Sequence, residues 1–301
     1  MKKIYKLTPA FKDVLWGGKS LKDLYGKNIP TETTGESFEA SVVKGFCSKT
    51  EEGDFNLLTE NPEMTGKGGF NLLFKLIDAR EKLSVQVHPD KAAAEFLGGG
   101  ESKTECWYVL SAKEGAFLYL GFKEGVTSAE FKSACYDGGM EKLLSKVPVK
   151  KGDFFFVPAK TVHAIGEGIV IAELQQSSDT TFRVYDYERR DKNGNLREIH
   201  REEAIATAEV LPYKNVEREK LSDKRTRLCK CEHFRLVKVV GSEEKETTTD
   251  RYALIFFEEG SAEISYNGGT VEAKAGDTFF VPAGIGEFNV EGNFTYLYMT
   301  E

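Results

Sequence analysis

Gln86 and His88 stand two residues apart in Leu83-Ser84-Val85-Gln86-Val87-His88-Pro89-Asp90, where polar and apolar side chains alternate until Pro89. An alternation of period two predicts a strand, with i and i+2 on one face. Gln86 and His88 then point the same way beside Ser84, while Val85 and Val87 enter a core. An imidazole and an amide on one face can ligate a metal, or can form a buried hydrogen-bonded pair. Other residues with chemical potential follow. Lys103-Thr104-Glu105-Cys106-Trp107-Tyr108-Val109-Leu110 predicts a second strand, with Lys103, Glu105, Trp107 and Val109 on one face. His163 comes five residues after Pro158. Lys75 sits in the mostly apolar run 70–78, where a lysine either snorkels to the surface or enters a pocket. Cys229 and Cys231 have no second Cys/His pair at zinc-finger spacing, which favours plain strand or surface cysteines.

The elements that must position these residues are mostly strands and turns. Gly35 to Val43 alternates as a strand would, and Trp16-Gly17-Gly18 reads as a tight turn beside a large anchor. The glycines at 66–69 are not followed by the Lys-Ser/Thr of a P-loop. Asp90 to Leu97 predicts a short helix. Residues 127–146 predict a longer one, opened by the capping-box pattern Thr127-Ser128-Ala129-Glu130. Phe154 to Val157 and Ile169 to Leu174 read as buried strands, Asn193-Gly194 as a hairpin turn, and His200 to Val210 as a helix ended by Leu211-Pro212. Residues 213–230 are charged and turn-like. From Glu232 onward the pattern is strand and turn.

The totals limit the partners. A chain of 301 residues is long enough for one large or two ordinary domains. A net charge of −7 argues against nucleic acid as the main partner, so an anionic substrate must meet a local basic pocket. No apolar run approaches a bilayer span, and the N-terminus lacks the apolar segment of a signal peptide. Five cysteines without framework spacing suit reduced thiols, so the expected location is cytoplasmic, with no membrane partner. With 21 Phe against 4 Met, aromatic packing should dominate the core.

One segment occurs twice. Lys150 to Ala159, read as Lys-Lys-Gly-Asp-Phe-Phe-Phe-Val-Pro-Ala, returns as Lys274 to Ala283, read as Lys-Ala-Gly-Asp-Thr-Phe-Phe-Val-Pro-Ala. A repeated Gly-Asp turn, apolar strand and Pro-Ala turn suggests two similar β-barrels. The first copy places His163 five residues after its proline, and the second places Glu287 there. The expected division is a metal-binding domain over 1–212 with helical insertions, a linker over 213–230, and a metal-free barrel over 231–301.

These motifs carry a resemblance. Gly152, Pro158 and His163 resemble the second half of the cupin signature, with Lys160 where that motif usually has glycine, and Gln86-Val87-His88 resembles its first half with Gln in place of the first His. Leu15 to Gly18, Gly35 to Glu39, Phe74 to Ala79, Leu83 to Asp90, Lys103 to Tyr108, Val162 to Ile165 and Gln175 to Asp186 together resemble the short bacterial branch of type I mannose-6-phosphate isomerases, in the same order and over most of the chain. The resemblance implies a mainly β fold of two cupin-type jelly-roll barrels with a few short helices inserted. It implies one Zn2+ held by Gln86, His88, Glu105 and His163, a catalytic Arg183, and substrate contacts from Lys103, Asp179, Lys75 and Glu173. The implied reaction interconverts mannose 6-phosphate and fructose 6-phosphate by proton transfer through an enediol.

Imidazole and carboxylate ligands without thiolates suit an open catalytic zinc site, although two His and one carboxylate can also hold Fe2+ or another divalent ion. Arg183 has a plainer reading as a salt bridge with Asp186, and Arg189 and Arg190 as a solvated hairpin edge. A histidine base before the site lysine is not available, because position 102 is Ser102. Glu173, Asp179 or a metal-bound water are the candidates, while His200 and His233 lie away from the motifs. The alternatives are a sugar-phosphate-binding or regulatory cupin without turnover, and an Fe2+ oxygenase. The resemblance implies a phosphorylated hexose as the partner, and the expected state is a monomer or homodimer.

Overall fold

The computed structural model describes residues 2–191 and 193–301. Strands are the dominant regular structure, gathered into a six-stranded, a five-stranded and an eight-stranded sheet, with a small two-stranded ribbon beside them. The six-stranded sheet runs Phe154–Val157, Glu105–Ala112, Ile169–Gln176, Leu72–Ala79, Thr34–Ala40 and Ala10–Gly18, all pairs antiparallel. The five-stranded sheet runs Leu144–Pro148, Phe117–Phe122, His163–Ile165, Val85–Val87 and Phe182–Tyr185. These two sheets face each other and make the first barrel.

The six-stranded sheet is buried on both faces. Along Leu72–Ala79, Leu72, Phe74 and Leu76 pack against Leu254, Phe256, Phe280, Leu297 and Met299 of the C-terminal sheet. Ile77 and Ala79 turn inward to Trp107, Leu118 and Ile171. Burial on both faces explains why this strand reads as an apolar run rather than an alternation. The outer face of the five-stranded sheet is covered by the helices Ser128–Asp137 and Arg201–Thr207, through Phe131 and Ala204 against Val85, Val87 and Phe122. The interior of the eight-stranded sheet is filled by Phe257, Phe279, Phe288, Phe294 and Tyr296, the aromatic packing that the composition predicts.

Several local expectations are corrected. The single helix expected over 127–146 is two helices, Ser128–Asp137 and Met140–Leu143, followed by the strand Leu144–Pro148. The capping box at Thr127 and Glu130 forms, but Gly138 and Gly139 both take left-handed φ (83° and 87°) and end the helix. Trp16-Gly17-Gly18 is the end of a strand rather than a turn. Gly17 is required there by close approach, since a Cβ would lie 2.3 Å from the Thr33 carbonyl oxygen. The segment 213–230 is not simply turn-like: Arg225–Lys230 pairs with Arg235–Thr248, and Glu219–Lys220 pairs with it in turn. Its charges are those of an edge strand with one solvated face. The first strand, Tyr5–Leu7, pairs with Thr278–Val281 and so lies in the C-terminal sheet. The helices at Lys91–Phe96, capped by Asp90, and at Arg201–Thr207 lie where the periodicity predicts them.

Candidate functional site

Strand register assembles the site. In the six-stranded sheet Lys75 is opposite Glu173 on one side and Phe38 on the other, Glu173 is opposite Trp107, and Gln175 is opposite Glu105. In the five-stranded sheet Gln86 is opposite His163 and also opposite Arg183. The two faces meet inside the barrel. His88, just past its strand, completes a cluster with Glu105 and His163 in which one donor atom from each lies within 4.8 Å of the others.

The hydrogen bonds around this cluster leave it short of positive charge. His88 Nδ1 is 2.9 Å from the Thr180 carbonyl and His163 Nδ1 is 2.8 Å from the Thr161 carbonyl. A carbonyl only accepts, so each Nδ1 carries the proton and each Nε2 presents a lone pair. Both Nε2 atoms point at Glu105: His88 Nε2 is 3.4 Å from Oε2 and His163 Nε2 is 3.3 Å from Oε1. His88 Nε2 and both Glu105 oxygens are buried without a hydrogen bond. Gln86 Nε2 is 3.4 Å from His163 Nε2, and rotating the amide would bring its oxygen there instead. Lys103 Nζ, 3.3 Å from Glu105 Oε2, is the nearby cation.

Burial sets the protonation states. It lowers His163 to about 4 against the pull of the Thr161 carbonyl, so the imidazole is neutral. Burial also pushes His88 well down, helped by the charge of Lys103. Burial raises Glu105, with Lys103 acting in the opposite direction. Two neutral imidazoles and a carboxylate, each with an acceptor aimed at a common centre, are the donor set of a divalent metal site. The carbonyls behind each Nδ1 fix the tautomers such a site needs. The residues present fit the metal.

A cavity of about 250 Å³ opens beside the cluster. Gln86, Lys75, Lys103, Glu173, Asp179 and Arg183 all line it. Lys75 takes the pocket option and does not snorkel: it lies 3.3 Å from Glu36 and 2.9 Å from Glu173. Burial opposes its charge, but the two carboxylates outweigh burial and raise its pKa. Burial likewise tends to raise Glu173, and Lys75 and Lys103 overcome it, so Glu173 stays low. Its other oxygen accepts from Trp107 Nε1 at 2.9 Å. Arg183 donates through Nη1 to the Glu198 carbonyl at 2.7 Å, not to Asp186, and burial lowers its pKa, helped by the charge of Arg197.

Lys12, Trp16, Glu36 and Arg197 also line the cavity and were missed by the sequence reading. Glu36 had a legible signal, a charged side chain alternating with apolar ones in a predicted strand. Lys12 and Arg197 had none, because each reaches the cavity only through the tertiary fold. His200 is nearer the site than expected: the backbone amide of Arg183 donates to its Nδ1 at 3.1 Å. Arg189 turns to Asp186 and the Lys82 carbonyl, and Arg190 to the Gly194 carbonyl, so neither lines this cavity.

Comparison with known proteins gives this geometry a family. Residues 4–109 match the phosphomannose isomerase type I catalytic domain, and residues 224–300 match the mannose-6-phosphate isomerase cupin domain. A mannose-6-phosphate isomerase of Bacillus subtilis is 37% identical over 300 residues, 94% of each chain. The chain belongs to the mannose-6-phosphate isomerase family. Another member, from Streptococcus mutans, is 46% identical over 200 residues, 64% of this chain and 63% of its own. The crystal structure of the mannose 6-phosphate isomerase from Bacillus subtilis superposes with a TM-score of 0.92 at 33% identity, covering 99% of both chains. The fold is therefore that of the mannose-6-phosphate isomerases, mainly β with cupin barrels, and the chain is an enzyme of that activity. Among the described residues no helix is long and apolar enough to cross a membrane.

Proposed function

We propose that this isomerase interconverts D-mannose 6-phosphate and D-fructose 6-phosphate with one zinc ion, moving a proton between C1 and C2 through an enediol. The observation that carries the reading is the convergence of acceptors from His88, Glu105 and His163, those of His88 and Glu105 without a hydrogen bond, buried beside a cavity of about 250 Å³. Gln86, His88, Glu105 and His163 would hold the metal, with the Gln86 amide turned oxygen-first. The bound ion would polarise the oxygens on C1 and C2 and stabilise the negative charge that develops there.

The chain's own residues supply the rest. Lys103 and Arg183 are cationic donors that can steady the developing charge. Lys75 cannot act as a base, because its two carboxylates keep it protonated. Glu173 is a weak base for the same reason, since Lys75 and Trp107 already hold its oxygens. We therefore place the proton transfer on the Asp179 carboxylate, which lines the cavity from the loop after Ile169–Gln176. Leu83, Ile77 and Ile165 add apolar side chains to an otherwise mainly polar lining.

Chelation of the purified enzyme should abolish turnover of mannose 6-phosphate in a coupled assay, and added zinc should restore it. Full activity in a demetallated sample would refute the metal role. Restoration by Fe2+ but not by zinc would reassign the ion.

A further inference from the structure

Arg183 lies on a sheet edge. Its strand, Phe182–Tyr185, ends the five-stranded sheet and, among the described residues, pairs with Val85–Val87 alone, where Arg183 is opposite Gln86. An edge strand leaves alternate N–H and C=O groups without a strand partner. At Arg183 both groups turn to that open side, and one residue meets both. The Arg183 amide donates to His200 Nδ1 at 3.1 Å, and the His200 amide donates to the Arg183 carbonyl at 2.8 Å. The ring also lies beside Phe182, with centroids 6.3 Å apart. A backbone amide only donates, so Nδ1 is bare and the proton of the neutral ring sits on Nε2.

His200 stands at the N-cap of the helix Arg201–Thr207, where a side chain ordinarily accepts from the helix's own free amides. This imidazole makes no such bond. Its acceptor is turned across the sheet edge instead, and Glu202 and Glu203 in the first turn face the positive end of the helix dipole. The helix is itself fixed: Ala204 packs with Val85 and Val87 on the outer face of the strand that carries Gln86. Two residues before His200, the Glu198 carbonyl accepts from Arg183 Nη1 at 2.7 Å. The segment 198–200 therefore holds Arg183 at three points: its amide, its carbonyl and its guanidinium. Nε of the same guanidinium is buried without a hydrogen bond, and the side chain lines the cavity.

We infer that His200 is the positioning residue for Arg183: its bare Nδ1 and its amide fix the backbone of the edge strand, and so the depth at which the guanidinium enters the cavity. The inference rests on the reading of Arg183 as a group that steadies the developing charge. His200 does not line the cavity, so its effect is geometric. A strand freed at its edge lets a preorganised donor shift, and a displacement of ~1 Å at a reacting centre costs about 10²-fold in rate.

The test uses the metal-loaded enzyme and three substitutions at one position. His200→Ala should lower kcat for mannose 6-phosphate about tenfold or more, with KM within about threefold of wild type and metal content unchanged. His200→Asn puts an amide oxygen close to the place of Nδ1 and should recover most of that loss. His200→Gln carries its polar end farther out, near the place of Nε2, and should not. In an Arg183→Ala background, His200→Ala should cost no further activity, because the imidazole acts through the arginine. Hydrogen exchange of peptides spanning 182–185 should quicken in His200→Ala and His200→Gln and stay slow in His200→Asn. Wild-type kcat in His200→Ala would overturn the inference, as would equal activity of His200→Asn and His200→Gln, additive losses in the double variant, or loss of metal from His200→Ala. If His200→Ala does not fold, the comparison of His200→Asn with His200→Gln decides alone. Failure of the Arg183 reading would look different: Arg183→Ala would keep its turnover, while exchange over 182–185 still followed the residue at position 200.

Discussion

The two barrels start from the same ten-residue pattern and solve the problem of buried polar groups in opposite ways. In the C-terminal barrel the buried carboxylate of Glu246 is satisfied on every side: Arg225 donates to it at 2.6 Å and the Tyr296 hydroxyl at 2.8 Å. The rest of that interior is aliphatic and aromatic. In the N-terminal barrel Glu105 and two imidazoles face one another, and His88 Nε2 and both Glu105 oxygens have no hydrogen bond although the Lys103 ammonium is 3.3 Å from Oε2. Leaving buried acceptors unpaired costs free energy, and an uncompensated charge costs more. The C-terminal barrel thus pairs Glu246 within its own strands, and the N-terminal barrel gathers acceptors of the kind that suit a cation. The position after the repeated proline shows the split. His163 is buried in the cluster, whereas its counterpart Glu287 is exposed and pairs with Lys245 at 2.8 Å.

The strongest way to break this comparison is to exchange roles at that position. His163→Ala should lower kcat/KM by about 10³-fold or more, as expected when a proposed ligand to a Lewis acid is lost. Metal content should fall with it. Glu287→Ala should leave both unchanged, because an exposed ion pair contributes about 0–1 kcal/mol. Elemental analysis beside the coupled assay checks both variants. Metal retained in full by His163→Ala would remove that residue from the site.

A middle effect probes the charge ladder beside the cluster. Lys75→Met strands Glu36 and Glu173 in the barrel and should cost about 3–5 kcal/mol at neutral pH. The pH dependence should change sign. In the wild type the lysine holds both carboxylates below their ordinary 4.5, although burial alone would raise them. Groups with lowered folded-state pKa stabilise the fold above the unfolded value, so wild-type stability should fall as pH drops below about 4.5. Without the lysine, burial raises both carboxylates above that value, and acidification from pH 7 towards pH 5 should recover stability. Denaturant titrations across that range decide it. A variant that loses stability on acidification exactly as the wild type does would deny the lysine this role.

The smallest effect sharpens the likeness of the two turns. Lys160 takes φ 71° where Gly284 of the second copy takes φ 70°. Lys160→Gly should relieve about 1 kcal/mol of left-handed strain. It should also lose the ion pair with Glu209, worth a similar amount or less at the surface. The expected shift in Tm is within a few degrees of zero. A drop above about 10 °C would mean that the lysine, not the turn, holds the loop over His88, whose carbonyl accepts from the Lys160 amide at 2.7 Å.

The period-two face of Gln86 and His88, the Glu105 strand, the Gly-Asp to Pro-Ala repeat and the asymmetry of His163 against Glu287 were all legible in the chain, because strand periodicity and turn chemistry are local. So was the mainly β fold of two barrels. Other features were not. Lys75 looked the same whether it snorkelled or entered a pocket, because the choice depends on the carboxylates of two neighbouring strands. The helix over 127–146 was broken by two glycines whose left-handed conformations end one helix and begin another. The charges of 213–230 were consistent with a turn until pairing with Arg235–Thr248 made them an edge. Arg197 was one more charge on a polar hairpin.

By itself, then, the sequence determined which side chains share a strand face and which barrel could hold a metal, since both follow from spacing along the backbone. Only the tertiary structure decided that the Glu105 oxygens are buried against two imidazoles and Lys103, that Glu36 and Glu173 claim Lys75, and that Arg197 lines the same cavity as Arg183. Those are contacts between strands far apart in the chain. Their energies depend on burial and on which charges remain unpaired after the sheets have closed, and neither is a property of any local stretch of residues.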